Sequence, residues 1–159
     1  MITVYVDASV QPGRTGGIGV VLQVEPPITR AKESMEFSFP ISGTLSVNDA
    51  EIIAFAYAAK IVRGVASKLR GLSNTIINLR SDSAAAVNAI KNPKTVKNRQ
   101  TRNAAKNVKT AIDDLTHDGI ILGWGVKKIG RRSNLADRLA AKAREEYGSI
   151  FKWTPENQK

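Results

Sequence analysis

The chain has 159 residues, a formal charge of +10 at neutral pH and no cysteine. That length suits one domain around one core, and the missing thiol excludes disulfides and thiolate metal sites, so a metal would have to sit on oxygen. The longest apolar runs, such as residues 52–59, are far shorter than the roughly 20 residues that cross a bilayer, and the strand-like start at residues 2–6 leaves no room for a secretion signal, so a cytoplasmic location is expected. Ile2, Val4 and Val6 alternate with Thr3 and Tyr5 and lead to Asp7. Residues 16–23 are a second β-rich run after a Pro12-Gly13 turn, which predicts a hairpin. Met35, Phe37 and Phe39 alternate with Glu36 and Ser38 and stop at Pro40, a third strand with one solvated face.

From residue 48 to about residue 65, Ile52, Phe55, Ala56, Ala59 and Val62 or Val65 recur at helical spacing. Residues 75–79 then form a short β-branched run leading to Asp82, and the alanine-rich residues 83–90 predict a helix that Pro93 ends nearby. A further helix is expected from residue 98 to about residue 117, with Ala104, Val108, Ala111 and Leu115 on one face. Residues 120–126 read as a fifth strand, and residues 127–133 as a polar segment. Leu135, Leu139 and Ala143 mark a last helix that Gly148 would close. The order βββ-α-β-α-α-β-α implies an α/β fold, a mixed five-stranded sheet packed between helices.

The charge is uneven. Residues 1–82 carry 8 Lys or Arg against 7 acids, whereas residues 83–159 carry 16 against 7. Such a field attracts a polyanion, nucleic acid before an anionic membrane surface, although a merely solvated basic surface has the same composition.

Four acids fall at element boundaries in this reading: Asp7 at the end of the first strand, Glu51 near the start of the first helix, Asp82 at the end of the fourth strand, and Asp137 entering the last helix. Carboxylates suit Mg²⁺ or Mn²⁺, and two such ions about 4 Å apart activate water and stabilise the leaving oxygen of a phosphodiester. Acids at such places also serve turns and helix dipoles. Asn48 and Glu51 fit a capping pattern, Asp82 is placed to cap the next helix, and Asp137 to favour a first turn. Asp7 has the weakest explanation of that kind.

The surroundings of these acids resemble type 1 ribonuclease H over residues 1–146. Val4-Tyr5-Val6-Asp7-Ala8-Ser9 is similar to the family's first strand, and residues 16–21 to its glycine-containing second strand. Asn48-Asp49-Ala50-Glu51 matches an asparagine three residues before the helical glutamate. Arg80-Ser81-Asp82-Ser83 matches the family's Thr/Ser-Asp-Ser segment, and residues 134–140 its terminal helix motif.

The resemblance implies a ribonuclease H-like domain over residues 1–147 with a C-terminal tail at 148–159, its helices on both faces of the sheet. It implies an endonuclease that hydrolyses the RNA strand of an RNA/DNA hybrid, with Asp7, Glu51, Asp82 and Asp137 holding two Mg²⁺ ions, Mn²⁺ being the alternative ion. Asp7 would bridge both ions, Asp82 and Glu51 would serve one side, and Asp137 the other. In the family a hydroxyl residue five before the helical glutamate contacts DNA phosphate, which here is Ser46, and Asn48 is the candidate for sensing a 2′-hydroxyl. A cap on the helix is the plain alternative for both. Lys97, Arg99, Arg102, Lys128, Arg131, Arg132 and Asn134 complete the expected substrate-binding set.

Several features depart from the family pattern. Many members carry a histidine in the loop before the last aspartate, whereas this loop reads Lys127-Lys128-Ile129-Gly130-Arg131-Arg132-Ser133. His117, the single histidine, is expected at a helix C-terminus. Asn134 lies three residues before Asp137 instead of the usual four, with Ser133 in that place. About eight residues separate the two middle helices, too few for a separate basic protrusion, so Lys94, Lys97, Arg99, Arg102 and Lys106 are expected to substitute electrostatically. Trp124 is expected to pack in the core. The competing readings are another nuclease of this fold, such as a junction resolvase or integrase-like enzyme, and a noncatalytic or weakly active hybrid-binding module. Association with a reverse transcriptase or with replication machinery is left open by the residues.

Overall fold

The computed structural model describes residues 1–11, 15–26, 28–41, 45–69 and 71–153, with side chains through residue 146. Its strands are β1 (Ile2–Ser9), β2 (Gly16–Val24), β3 (Glu33–Ile41), β4 (Ile76–Ser81) and β5 (Gly123–Lys128). Its helices are α1 (Val47–Ala66), α2 (Ala84–Lys91), α3 (Arg99–His117) and α4 (Asp137–Trp153), with 3-10 turns at Pro93–Thr95 and Arg131–Ser133. The strands form one sheet in the order β3-β2-β1-β4-β5. β1 and β3 run antiparallel to β2, and β4 runs parallel to both β1 and β5. The expected mixed five-stranded sheet is therefore present.

Alternation along β1 divides the molecule into two faces. Ile2, Val4, Val6 and Ala8 stand opposite Val24, Leu22, Val20 and Ile18 of β2, and all eight join one core with Phe55, Ala58 and Val62 of α1, Ile90 of α2 and Val108 and Ile112 of α3. Thr3, Tyr5, Asp7 and Ser9 point the other way, opposite Gln23, Val21, Gly19 and Gly17, toward α4. On that side Ala136, Ala140 and Ala143 are buried. A Cβ on Gly19 would stand 2.5 Å from the Ala136 carbonyl oxygen and 2.7 Å from the Ala140 nitrogen, and one on Gly17 would collide with the Ala140 carbonyl and the Arg144 nitrogen. The α4 backbone therefore rests directly on two bare positions of β2, and Arg144 Nη1 donates to Ser9 Oγ at 2.8 Å.

Element ends differ from expectation for identifiable reasons. β3 continues through Pro40 to Ile41, because β3 pairs only with β2 and an edge strand tolerates a residue without an N–H. β5 begins at Gly123, not residue 120. Gly119, at φ +72°, closes α3 with bonds from Gly119 N–H to Thr116 O and from Ile120 N–H to Leu115 O, so the cap of the helix takes the residues assigned to the strand. α1 is capped by Ser46, whose hydroxyl accepts from the Asp49 N–H at 3.1 Å, as one of the two capping alternatives had it, and not by the Asn48–Glu51 pattern. α4 runs through Gly148 to Trp153, since one interior glycine weakens a helix by only about 1 kcal/mol. The segment expected as a tail thus begins with the end of α4, and residues 154–159 lie outside the described residues, as does the Pro12-Gly13 turn. No helix among the described residues is long and apolar enough to cross a membrane.

Candidate active site

The parallel ladder between β1 and β4 ends at Tyr5 opposite Arg80. Past that last pair stand Asp7, which the sequence placed at the end of its strand but which β1 passes by two residues through its pairing with β2, and Asp82, directly after β4, on the side where parallel strands open a crevice. Glu51 enters from the early turns of α1. Asp7, Glu51 and Asp82 each bring a carboxylate oxygen within 4.8 Å of the others. The fourth acid, Asp137, is the first residue of α4 and reaches the Asp7 carboxyl. Three of the four acids singled out in the sequence thus meet through β1, α1 and β4, and the fourth joins them at Asp7 from the start of α4.

Asp7 and Glu51 are only 5% and 6% exposed. Burial pushes the Asp7 carboxyl up to about 7; the charge of Asp82 and the contact with Asp137 add to this, while hydrogen bonds from Glu51 and the Ala8 N–H oppose it. Burial, then the charge of Asp7, its hydrogen bond with Glu51 and the charge of Asp82 push Glu51 up to about 9. Glu51 Oε2 is buried without a hydrogen-bond partner. Clustered carboxylates that resist ionisation, one with an orphaned oxygen, need positive charge brought to them. An all-oxygen donor set of this kind fits hard divalent cations such as Mg²⁺ or Mn²⁺.

The capping roles that competed for these acids fall mainly to their neighbours. Ser46 caps α1, and the Ser83 hydroxyl caps α2 by accepting from the Ala86 N–H at 3.1 Å. The Glu51 and Asp82 carboxylates are thereby left for the cluster.

The other expected residues are spread around it. Ser46 and Asn48 are exposed at the start of α1, on the same helix end as Glu51. Lys128 ends β5 opposite Ser81, the residue before Asp82. Arg131 and Arg132 form a 3-10 turn next to α4, with Arg131 Nε 3.9 Å from Asp137 Oδ1. Beside them lies a cavity of about 710 Å³ whose lining includes Arg131, Arg132, Arg138 and Lys142 together with Glu36 and Asp137. Lys97 and Arg99 are exposed at the entry to α3, and Arg102 donates to the Val96 carbonyl at 3.2 Å. His117 ends α3 beside Asp118. Trp124 packs against the core and donates from Nε1 to Asp113 at 2.8 Å.

Asn134 is buried, and its side chain bonds to Val6, Asp82 and Ala136. Reading along the sequence did not reveal that bonding. Nor did it reveal the seat that Gly17 and Gly19 make for α4, although glycines two apart in a strand facing Ala136, Ala140 and Ala143 in a helix are a legible sign of close approach.

The fold is that of solved ribonuclease H structures. The N-terminal RNase H domain of Rv2228c from Mycobacterium tuberculosis superimposes with a TM-score of 0.66 at 17% identity, over 94% of this chain and 96% of that one. RNase H1 of the archaeon Halobacterium salinarum gives 0.63 at 21%, over 91% and 98%. LC11-RNase H1, isolated from compost by a metagenomic approach and solved in complex with an RNA/DNA hybrid, gives 0.61 at 23%, over 92% and 99%. The family model for RNase H matches residues 1–145, and the chain belongs to that family. No curated protein matches it.

Proposed function

We propose that the protein is an endonuclease that hydrolyses the RNA strand of an RNA/DNA hybrid with two divalent cations, Mg²⁺ or Mn²⁺, held by Asp7, Glu51, Asp82 and Asp137. The observation that carries this reading is the cluster of three carboxylates, Asp7, Glu51 and Asp82, with Asp137 beside Asp7 and Glu51 Oε2 buried and unpartnered. Family membership and the hybrid-bound LC11 relative support the choice of substrate. When bound, the cations supply a nucleophilic water and charge for the leaving oxygen.

The protein's own groups have separate tasks. Asp7 touches both Glu51 and Asp137, so it is the carboxylate shared between the two sides of the cluster. Burial keeps bulk water from competing for these oxygens. Arg131, Arg132 and Lys128 bring positive charge to phosphates next to the cluster, and Lys97, Arg99 and Arg102 extend that field at the entry to α3. Ser46 and Asn48, exposed at the start of α1, would contact the DNA phosphate and the 2′-hydroxyl.

The test is Mg²⁺-dependent cleavage of a labelled hybrid beside duplex DNA, duplex RNA and a branched junction. Cutting of the RNA strand in the hybrid alone is expected. Preference for the junction would move the protein to another nuclease class of this fold, and tight hybrid binding without any cleavage would make it a binding module.

A further inference from the structure

We infer that Asn134 is a positioning residue for the carboxylate cluster and does not contact the hybrid. The inference rests on the metal-binding reading above. Asn134 is 5% exposed. Its Nδ2 carries two hydrogens, and both are used: one is donated to the Val6 carbonyl at 3.0 Å and one to Asp82 Oδ1 at 3.1 Å. Its Oδ1 accepts from the Ala136 N–H at 3.2 Å.

Val6 precedes Asp7, and Ala136 precedes Asp137. One planar amide therefore bonds to the backbone beside two of the acids and to the carboxylate of a third. A side chain with two donors at one end and an acceptor at the other is needed for this, which an amide provides and a carboxylate or hydroxyl does not. The bond to Asp82 fixes the rotation of that carboxylate and offsets part of its repulsion from Asp7 and Glu51. With both amide hydrogens engaged inside the protein, none is left for a ribose hydroxyl. The spacing of three residues to Asp137 has a local counterpart, since the Oδ1 bond to the residue two further on forms the turn that starts α4.

The experiment compares Asn134→Ala with Asn134→Leu, which keeps the size but loses both donors and the acceptor without adding a charge. Mn²⁺ affinity is measured by calorimetry without nucleic acid, hybrid affinity in EDTA, and kcat and KM in Mg²⁺, at a temperature where unfolding curves show each variant folded. Both variants should lose about ten- to a hundred-fold in Mn²⁺ affinity and a comparable factor in kcat, with hybrid affinity and KM within about twofold of wild type, because a positioning residue leaves substrate contacts untouched. Weaker hybrid binding with unchanged Mn²⁺ affinity would make Asn134 a substrate contact and overturn the inference, as would failure of both variants to fold. Absence of Mn²⁺ binding by the wild type would overturn the metal reading and the inference together, whereas normal wild-type binding with no loss in the variants overturns the inference alone.

Discussion

Under α1, α2 and α3 the sheet presents Ile2, Val4, Val6, Ile18, Val20 and Leu22, all at most 2% exposed, whereas under α4 it presents Thr3, Tyr5, Asp7, Gly17 and Gly19. The first face is filled by branched side chains interlocked with those of three helices, so its contribution is apolar area removed from water. The second buries Val21 and small residues, with glycine at two positions. It brings a helix backbone close enough for Asp137, the first residue of that helix, to reach the Asp7 carboxyl. A buried carboxylate cluster opposes folding, so the apolar face stabilises the molecule against the strain of the polar one.

Asp7→Asn should separate the two faces most sharply. Hybrid cleavage is expected to fall by roughly three orders of magnitude or more, about 4 kcal/mol of transition-state stabilisation, while thermal stability without metal holds or rises because one buried charge is gone. Specific activity beside a circular dichroism melt checks this, and near-normal cleavage by the folded variant would remove Asp7 from the metal site. Phe55→Ala acts on the other face. It should lose about 3–5 kcal/mol of stability in denaturant unfolding yet bind Mn²⁺ as the wild type does once folded.

Gly19→Ala sharpens the contrast, because its Cβ would press on the Ala136 carbonyl directly before Asp137. A smaller loss of stability, about 1–3 kcal/mol, should accompany weaker Mn²⁺ binding, which Phe55→Ala does not cause. Equal Mn²⁺ affinity in the two variants would show that seating α4 has no bearing on the acids.

The pH dependence follows from the same face. Asp7 and Glu51 hold protons more tightly in the folded protein, at about 7 and about 9, than at their ordinary values of 3.8 and 4.5. Their contribution to metal-free stability is therefore complete below the ordinary values and is lost as pH rises toward about 7 for Asp7 and about 9 for Glu51. Melting temperatures across that range, with and without Mn²⁺, should show the decline and its recovery by metal. Glu51→Gln should flatten the upper part, and an unchanged slope there would detach Glu51 from the titration.

The smallest effect is expected far from the acids. Replacing Lys97, Arg99 and Arg102 together by Ala should reduce the slope of log hybrid affinity against log salt by up to about 3. Arg102, already bonded to the Val96 carbonyl, should account for the least of this. An identical slope would take the start of α3 off the nucleic-acid surface.

Local patterning was enough to find every strand and helix, because apolar periodicity is a property of neighbouring residues; it put Asp7, Glu51, Asp82 and Asp137 near element boundaries, and the resemblance to type 1 ribonuclease H set them apart from acids that serve turns and caps. Element ends were less legible. Pro40 stays in β3 because its strand is at an edge, and residues 120–122 leave β5 because Gly119 closes α3; both depend on partners that periodicity does not name. Tertiary structure alone decided the convergence of the acids, which requires β1 and β4 to be adjacent and parallel and α4 to rest on Gly17 and Gly19. It also decided the role of Asn134, whose bonds to Val6 and Asp82 span 128 and 52 residues. Hydrogen bonds over such separations are set by the sheet order and the close approach of backbones, and no local spacing carries either.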